Sequence, residues 1–99
     1  MVKYEIIWTP RSKIDLYNIA EFYGKRNGNY NYSKKIYVKI KRSVLILRRF
    51  SGIGVKTNVY NVRNLIVGDF CLFYQINDKN IVIIAVWDSK RNPNNLNLT

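Results

Sequence analysis

A chain of 99 residues has room for one domain with one small core, which excludes a multidomain enzyme with its own cofactor fold. A composition of 47% apolar and 14% aromatic residues excludes a disordered chain, and the lack of histidine removes the commonest metal ligand and the commonest general base. Seventeen basic residues against six acidic ones give a net charge of +11, and the 47 positions between Glu21 and Asp69 hold 11 basic residues and no acid, a field that attracts polyanions or an acidic partner.

Val2 to Trp8 reads as a strand, apolar throughout at Ile6-Ile7-Trp8. A chain that opens straight into a strand pattern is expected to carry no signal peptide. Thr9-Pro10 starts a helix: the threonine hydroxyl can cap, and proline suits the first helical position. The spacing of Leu16, Ile19, Ala20 and Tyr23, widened by Phe22, predicts a helix to about Arg26, with Glu21 and Lys25 as an ion pair four residues apart. Asn27-Gly28-Asn29 ends it, Gly28 being free to turn left-handed. Tyr30-Asn31-Tyr32 is then a short connector, and Ser33 caps a second helix to about Phe50. Ile36, Ile40, Val44 and Leu47 face its core, and Lys35, Lys39, Arg42 and Arg49 form a basic stripe. Lys34, Lys41 and Arg48 widen that surface.

Ser51-Gly52-Ile53-Gly54 is a loop. Val59 to Val67, Phe70 to Ile76 and Ile81 to Trp87 read as three strands, joined by turns at Gly68-Asp69 and Asn77-Asp78-Lys79-Asn80. Phe70, Leu72, Tyr74 and Ile76 share one face of the second strand, and Cys71, Phe73 and Gln75 the other. The third strand has no polar position, so both its faces need cover. Two helices can cover one face of a small sheet; a partner, a second copy, or the chain's own loops and tail can cover the other. Cys71, the only cysteine, allows no internal disulfide and reads as a small core residue. No run is long enough to span a membrane. The chain is expected to be a single domain over 1–93 with a flexible tail over 94–99, to need no cofactor or metal, and to reside in the cytoplasm.

The order strand, helix, helix, three strands comes with Trp8-Thr9-Pro10, Val62-Arg63-Asn64-Leu65, Gly68-Asp69-Phe70-Cys71-Leu72-Phe73-Tyr74 and Trp87-Asp88-Ser89-Lys90-Arg91-Asn92-Pro93. Together these resemble the RelE/ParE toxins of bacterial type II toxin–antitoxin systems. The resemblance implies an α+β fold in which a helical hairpin packs on one face of an antiparallel sheet. It also implies an acidic antitoxin as partner, in a hetero-oligomer or in place of a homodimer. The target would be the ribosome and its mRNA in the RelE-like branch, or DNA gyrase in the ParE-like branch, while a non-toxic member would only bind an antitoxin or nucleic acid.

The residues favour the second branch. Metal-free RNA cleavage needs a base, cations for the phosphorane and an acid. RelE-like nucleases are similar in placing two lysines where this chain has Val62 and Asn64, an arginine where it has Cys71, and a tyrosine where it has Asn97. Only Arg91 matches, and Lys90 beside it could serve as a base only with a strongly lowered pKa. Arg63-Asn64-Leu65 followed by Gly68, Phe70, Phe73 and Tyr74 resembles the ParE-like run. That resemblance makes Arg63 a candidate contact with target or antitoxin, and Tyr74, Trp87, Asp88 and Arg91 are candidates beside it, although Trp87 to Pro93 departs from many ParE-like members, which carry a histidine near Asp88.

Overall fold

The computed structural model of the protein describes residues 3–90. Its elements are β1 (Glu5–Trp8), α1 (Pro10–Asn27), α2 (Asn31–Ile46), a 3-10 turn (Ser51–Ile53), β2 (Val55–Lys56), β3 (Val62–Val67), β4 (Phe70–Ile76) and β5 (Asn80–Asp88). The five strands form one mixed sheet in the order β1-β5-β4-β3-β2. The expected meander of β3, β4 and β5 is antiparallel, and β1 joins β5 in parallel, with Ile6 opposite Ile81 and Trp8 opposite Ile83. The fold is α+β, with the helical hairpin on one face of the sheet.

Thr9 caps α1 as expected, its hydroxyl accepting from the Ser12 amide at 3.1 Å, and Gly28 closes the helix at φ +74°. Leu16, Ile19 and Tyr23 are buried. They meet Ile36, Ile40 and Val44 of α2 and the inner side chains Leu72, Tyr74, Ile81, Ile83 and Val86. Ile40 and Leu47 are fully buried, each contributing on the order of 2–3 kcal/mol. The β3–β4 turn is Gly68-Asp69, with Gly68 at φ +61°.

Several local expectations are corrected. Helix α2 begins at Asn31, two residues before the expected cap, with the Asn31 amide donating to the Asn29 side chain at 3.1 Å. Ser33 is inside the helix and buried, and its hydroxyl donates across the hairpin to the Ala20 carbonyl at 2.6 Å. The α-helix stops at Ile46, so Arg49 sits in the following turn and leaves the helical stripe. Glu21 accepts from the Tyr30 hydroxyl at 3.0 Å instead of pairing with Lys25. Residues 57–61 form a loop rather than the start of β3, because Asn61 takes φ +60° and breaks the extended run. The short β2 strand, pairing Val55 with Asn64 and Lys56 with Arg63, was not expected. Val59 of that loop packs on the outer sheet face, against the cluster of Val62, Phe73 and Ala85. The chain's own loop thus covers part of the face that the helices leave open.

The strand β5 carries one extra residue. Tyr74 pairs with Ile83 and Phe73 with Ala85, so Ile84 bulges between them. The bulge reverses the alternation: Ile81 and Ile83 face the helices, and beyond it Val86 does, while Ala85 and Trp87 face outward. The loosened backbone groups are met by α1. The Thr9 hydroxyl donates to the Ile83 and Ile84 carbonyls at 2.9 and 3.1 Å, and the Val86 amide donates to the Asp15 carboxylate at 3.0 Å. Burial pushes the Asp15 pKa above its ordinary 3.8, against the opposing pull of the Val86 amide and of Arg11.

Thr9→Ala removes a helix cap and a donor to two bulge carbonyls, so it should cost about 1–3 kcal/mol, with Thr9→Ser restoring most of it in urea unfolding. Because the folded state binds the Asp15 proton more tightly than the unfolded chain does, stability should fall as pH rises through the window just above 3.8. Asp15→Asn, which keeps an acceptor for Val86, should flatten that part of the pH–stability curve.

Candidate functional site

The cationic side chains gather where α2 passes the β3–β4 turn. A cleft of about 250 Å³ lies there, walled by Tyr32, Lys35 and Lys39 and by Val67 to Phe70, with Ile36 and Ile40 beneath. Lys39 Nζ leans over the turn, 3.5 Å from where a β-carbon on Gly68 would stand. Lys90 holds Asp69 at 2.9 Å, and that bond raises the Lys90 pKa. A raised pKa keeps the amine protonated, so Lys90 is set as a cation rather than as a proton acceptor.

A shallower groove of about 520 Å³ continues from the cleft along the outside of α2, lined by Lys34, Lys35, Val38, Lys39, Arg42, Ser43 and Ile46. Among the described residues, Lys34, Lys35, Lys39 and Arg42 have no ion-pair partner; the two salt bridges join Arg11 to Asp15 and Lys90 to Asp69. Helix α2 contains no acid at all. Lys41 points elsewhere, over the Trp8 ring at 4.8 Å. Lys35, Lys39 and Arg42 of the expected stripe line this groove, and Arg49 does not. Lys34 completes it in place of Arg49.

The residues nominated as target or antitoxin contacts do not converge. Tyr74 is fully buried, with its hydroxyl donating to the Ser51 carbonyl at 2.6 Å and accepting from the Gly54 amide at 2.9 Å. Burial raises its pKa. Its role is to fasten the loop before β2, and the contact reading is corrected. Asp88 is turned inward by the bulge and is 4% exposed, receiving the Tyr23 hydroxyl at 2.5 Å and the Lys90 amide at 3.0 Å. It too is a structural residue. Trp87 is half-buried on the opposite face, paired with Cys71. Arg63 is half-buried, and one of its guanidinium nitrogens donates to the Gly54 carbonyl at 2.8 Å. Arg91 lies outside the described residues, as do Asn97 and the expected tail.

Tyr32 is not among the sequence-predicted site residues because the sequence reads Tyr30-Asn31-Tyr32 as a connector. Once α2 begins at Asn31, Tyr32, Lys35 and Lys39 share one side of the helix. Its ring is propped by an edge contact with Tyr23, centroids 5.1 Å apart. No group of three or more His, Cys, Asp or Glu side chains among the described residues is placed to hold a metal ion. Nor is any described helix long and apolar enough to cross a membrane.

Comparison with known proteins decides the family. The family described as ParE toxin of type II toxin-antitoxin system, parDE, matches residues 6–93. The chain belongs to the ParE toxin family. Among solved structures it is similar to a chain of the chromosomal ParDE TA system from P. aeruginosa. The TM-score is 0.75 at 24% identity, over 85% of this chain and 94% of that one, a likeness that bears on the fold. No curated protein sequence matches the chain. For this ParE family member, the match takes in the helical hairpin, the sheet from Ile6 onward and the cationic cleft.

Tyr23→Phe leaves the buried Asp88 carboxylate without its side-chain donor. It should cost about 1.5–3 kcal/mol, seen as a lowered thermal midpoint with the folded far-ultraviolet spectrum retained.

Proposed function

We propose that the chain is a toxin that binds and inhibits DNA gyrase and is neutralised by an acidic antitoxin with which it forms a hetero-oligomer in the cytoplasm. The family match over residues 6–93 carries this reading. Two surfaces support it. The outer sheet face presents Ile66 and Val55 at 60% and 59% exposure on the same side as the half-buried Trp87, apolar side chains suited to a partner. Along α2 the unpaired lysines and Arg42 offer cations to a partner's carboxylates, which would speed association at low salt. Inhibition by binding needs no acid–base pair. Where the mRNA-cleaving relatives carry lysines, Val62 is buried and Asn64 is half-buried.

The test is pulse incorporation of labelled thymidine and labelled methionine, minutes after induction of the chain without antitoxin. Thymidine incorporation should fall first, and the purified protein should reduce supercoiling by purified gyrase. An early fall in methionine alone would place the target at the ribosome and overturn the gyrase reading.

A further inference from the structure

We propose that the cleft between α2 and the β3–β4 turn, with the groove running from it along α2, is a binding site for single-stranded nucleic acid. One base enters the cleft, and its flanking phosphates lie on Lys35, Lys39 and Arg42. The site does not depend on the gyrase reading, because it is a property of the isolated chain.

The cleft and the groove share Lys35 and Lys39, so they form one continuous track. At 1.5 Å rise per residue the run from Lys35 to Arg42 spans about 10 Å of helix. Lysines at i and i+4 with no acid between them repel, and a polyanion relieves that cost. The one carboxylate in the cleft, Asp69, is neutralised by Lys90 at 2.9 Å. Lys35, Lys39 and Lys90 against Asp69 therefore leave the cleft positive.

The shape of the cleft selects the polyanion. Its floor is Ile36, Ile40, Val67 and Phe70, and its wall is the Tyr32 ring, fixed against Tyr23. An apolar slot with an aromatic wall and cations at its mouth is built for a flat group joined to a phosphate. Single-stranded binders use that division of labour, with bases on aromatic rings and backbone on cations. At about 250 Å³ the cleft is too small to admit a helix from a protein partner. A nucleic-acid duplex keeps its bases stacked inside, so it would meet the cations alone.

The test is fluorescence anisotropy of the full chain with labelled oligothymidylate and oligouridylate, a duplex of equal length, and an oligoglutamate competitor. Single strands should bind more tightly than the duplex, with log affinity falling against log salt at a slope of about −2 to −3 for the three or four cations of the track. Lys39→Glu should weaken binding about tenfold and reduce the slope by about 1. Lys79→Glu, the same charge change in the β4–β5 turn at the other end of these strands, should weaken it less than about twofold. Tyr32→Ala should weaken it about fivefold or more, with the duplex unaffected. Lys35→Gln is the second variant should Lys39→Glu lower the thermal midpoint. Equal losses for Lys39→Glu and Lys79→Glu, a duplex bound as tightly as a single strand, or displacement by oligoglutamate at equal charge would each overturn the proposal.

Discussion

One extra residue in β5 organises this molecule. The bulge at Ile84 turns the second half of β5 over, so that Val86 and Asp88 reach the helices while Trp87 faces out. It would be costly if its backbone groups were left unmet, since a buried carbonyl or amide without a partner loses its hydration for nothing. The first turns of α1 meet them. Thr9 supplies a donor to two carbonyls and Asp15 an acceptor to one amide, so the same contacts that relieve the bulge fix where α1 lies on the sheet. Tyr23 near the other end of α1 closes on Asp88, the residue that the bulge turned inward.

The cationic track follows from this arrangement. With α1 pinned to β5, α2 is held by the hairpin contact of Ser33 with Ala20 and lies over the inner face, where its apolar side is buried. Its basic side is left facing solvent and the β3–β4 turn, away from nearly every carboxylate. Asp15 is committed to the bulge, Asp88 to Tyr23, Asp69 to Lys90 and Glu21 to Tyr30. The charge imbalance visible in composition thus becomes a one-sided field, because four of the six acids are tied to local contacts.

What was legible in the sequence was what short-range chemistry decides. The helical spacing of Leu16, Ile19 and Tyr23, the Thr9-Pro10 start, the left-handed Gly28 and the Gly68-Asp69 turn all depend on neighbours a few residues away. The bulge was not legible, because its cause lies in side chains over seventy residues distant. Ser33 looked like a cap and is a buried bridge between helices; the choice depends on a carbonyl of the other helix. Tyr74 and Asp88 enter as contact residues through the family resemblance, which does not say whether a side chain is buried. Here each finds a buried partner instead. Lys35 and Lys39 were legible as a stripe, but the cleft beside them required the turn between β3 and β4 to come near, and periodicity carries no such information.

The parallel pairing of β1 with β5 has a consequence for how the protein comes into being. β5 lies between β1 and β4 and holds the first strand, the start of α1 and the meander in one sheet. Among the described residues it is also the last strand made. While the chain is being synthesised, β1 has no neighbour to pair with, and Thr9 and Asp15 have no bulge to meet, until residues near Ile81 to Val86 have left the ribosome. Contacts at such sequence separation close a long loop before they yield any stabilisation. The five-stranded sheet is therefore assembled only after β5 has been made. A message cut or stalled before β5 leaves β1 without a neighbour and separates it from the β2–β3–β4 pairing, so the five-stranded sheet cannot close.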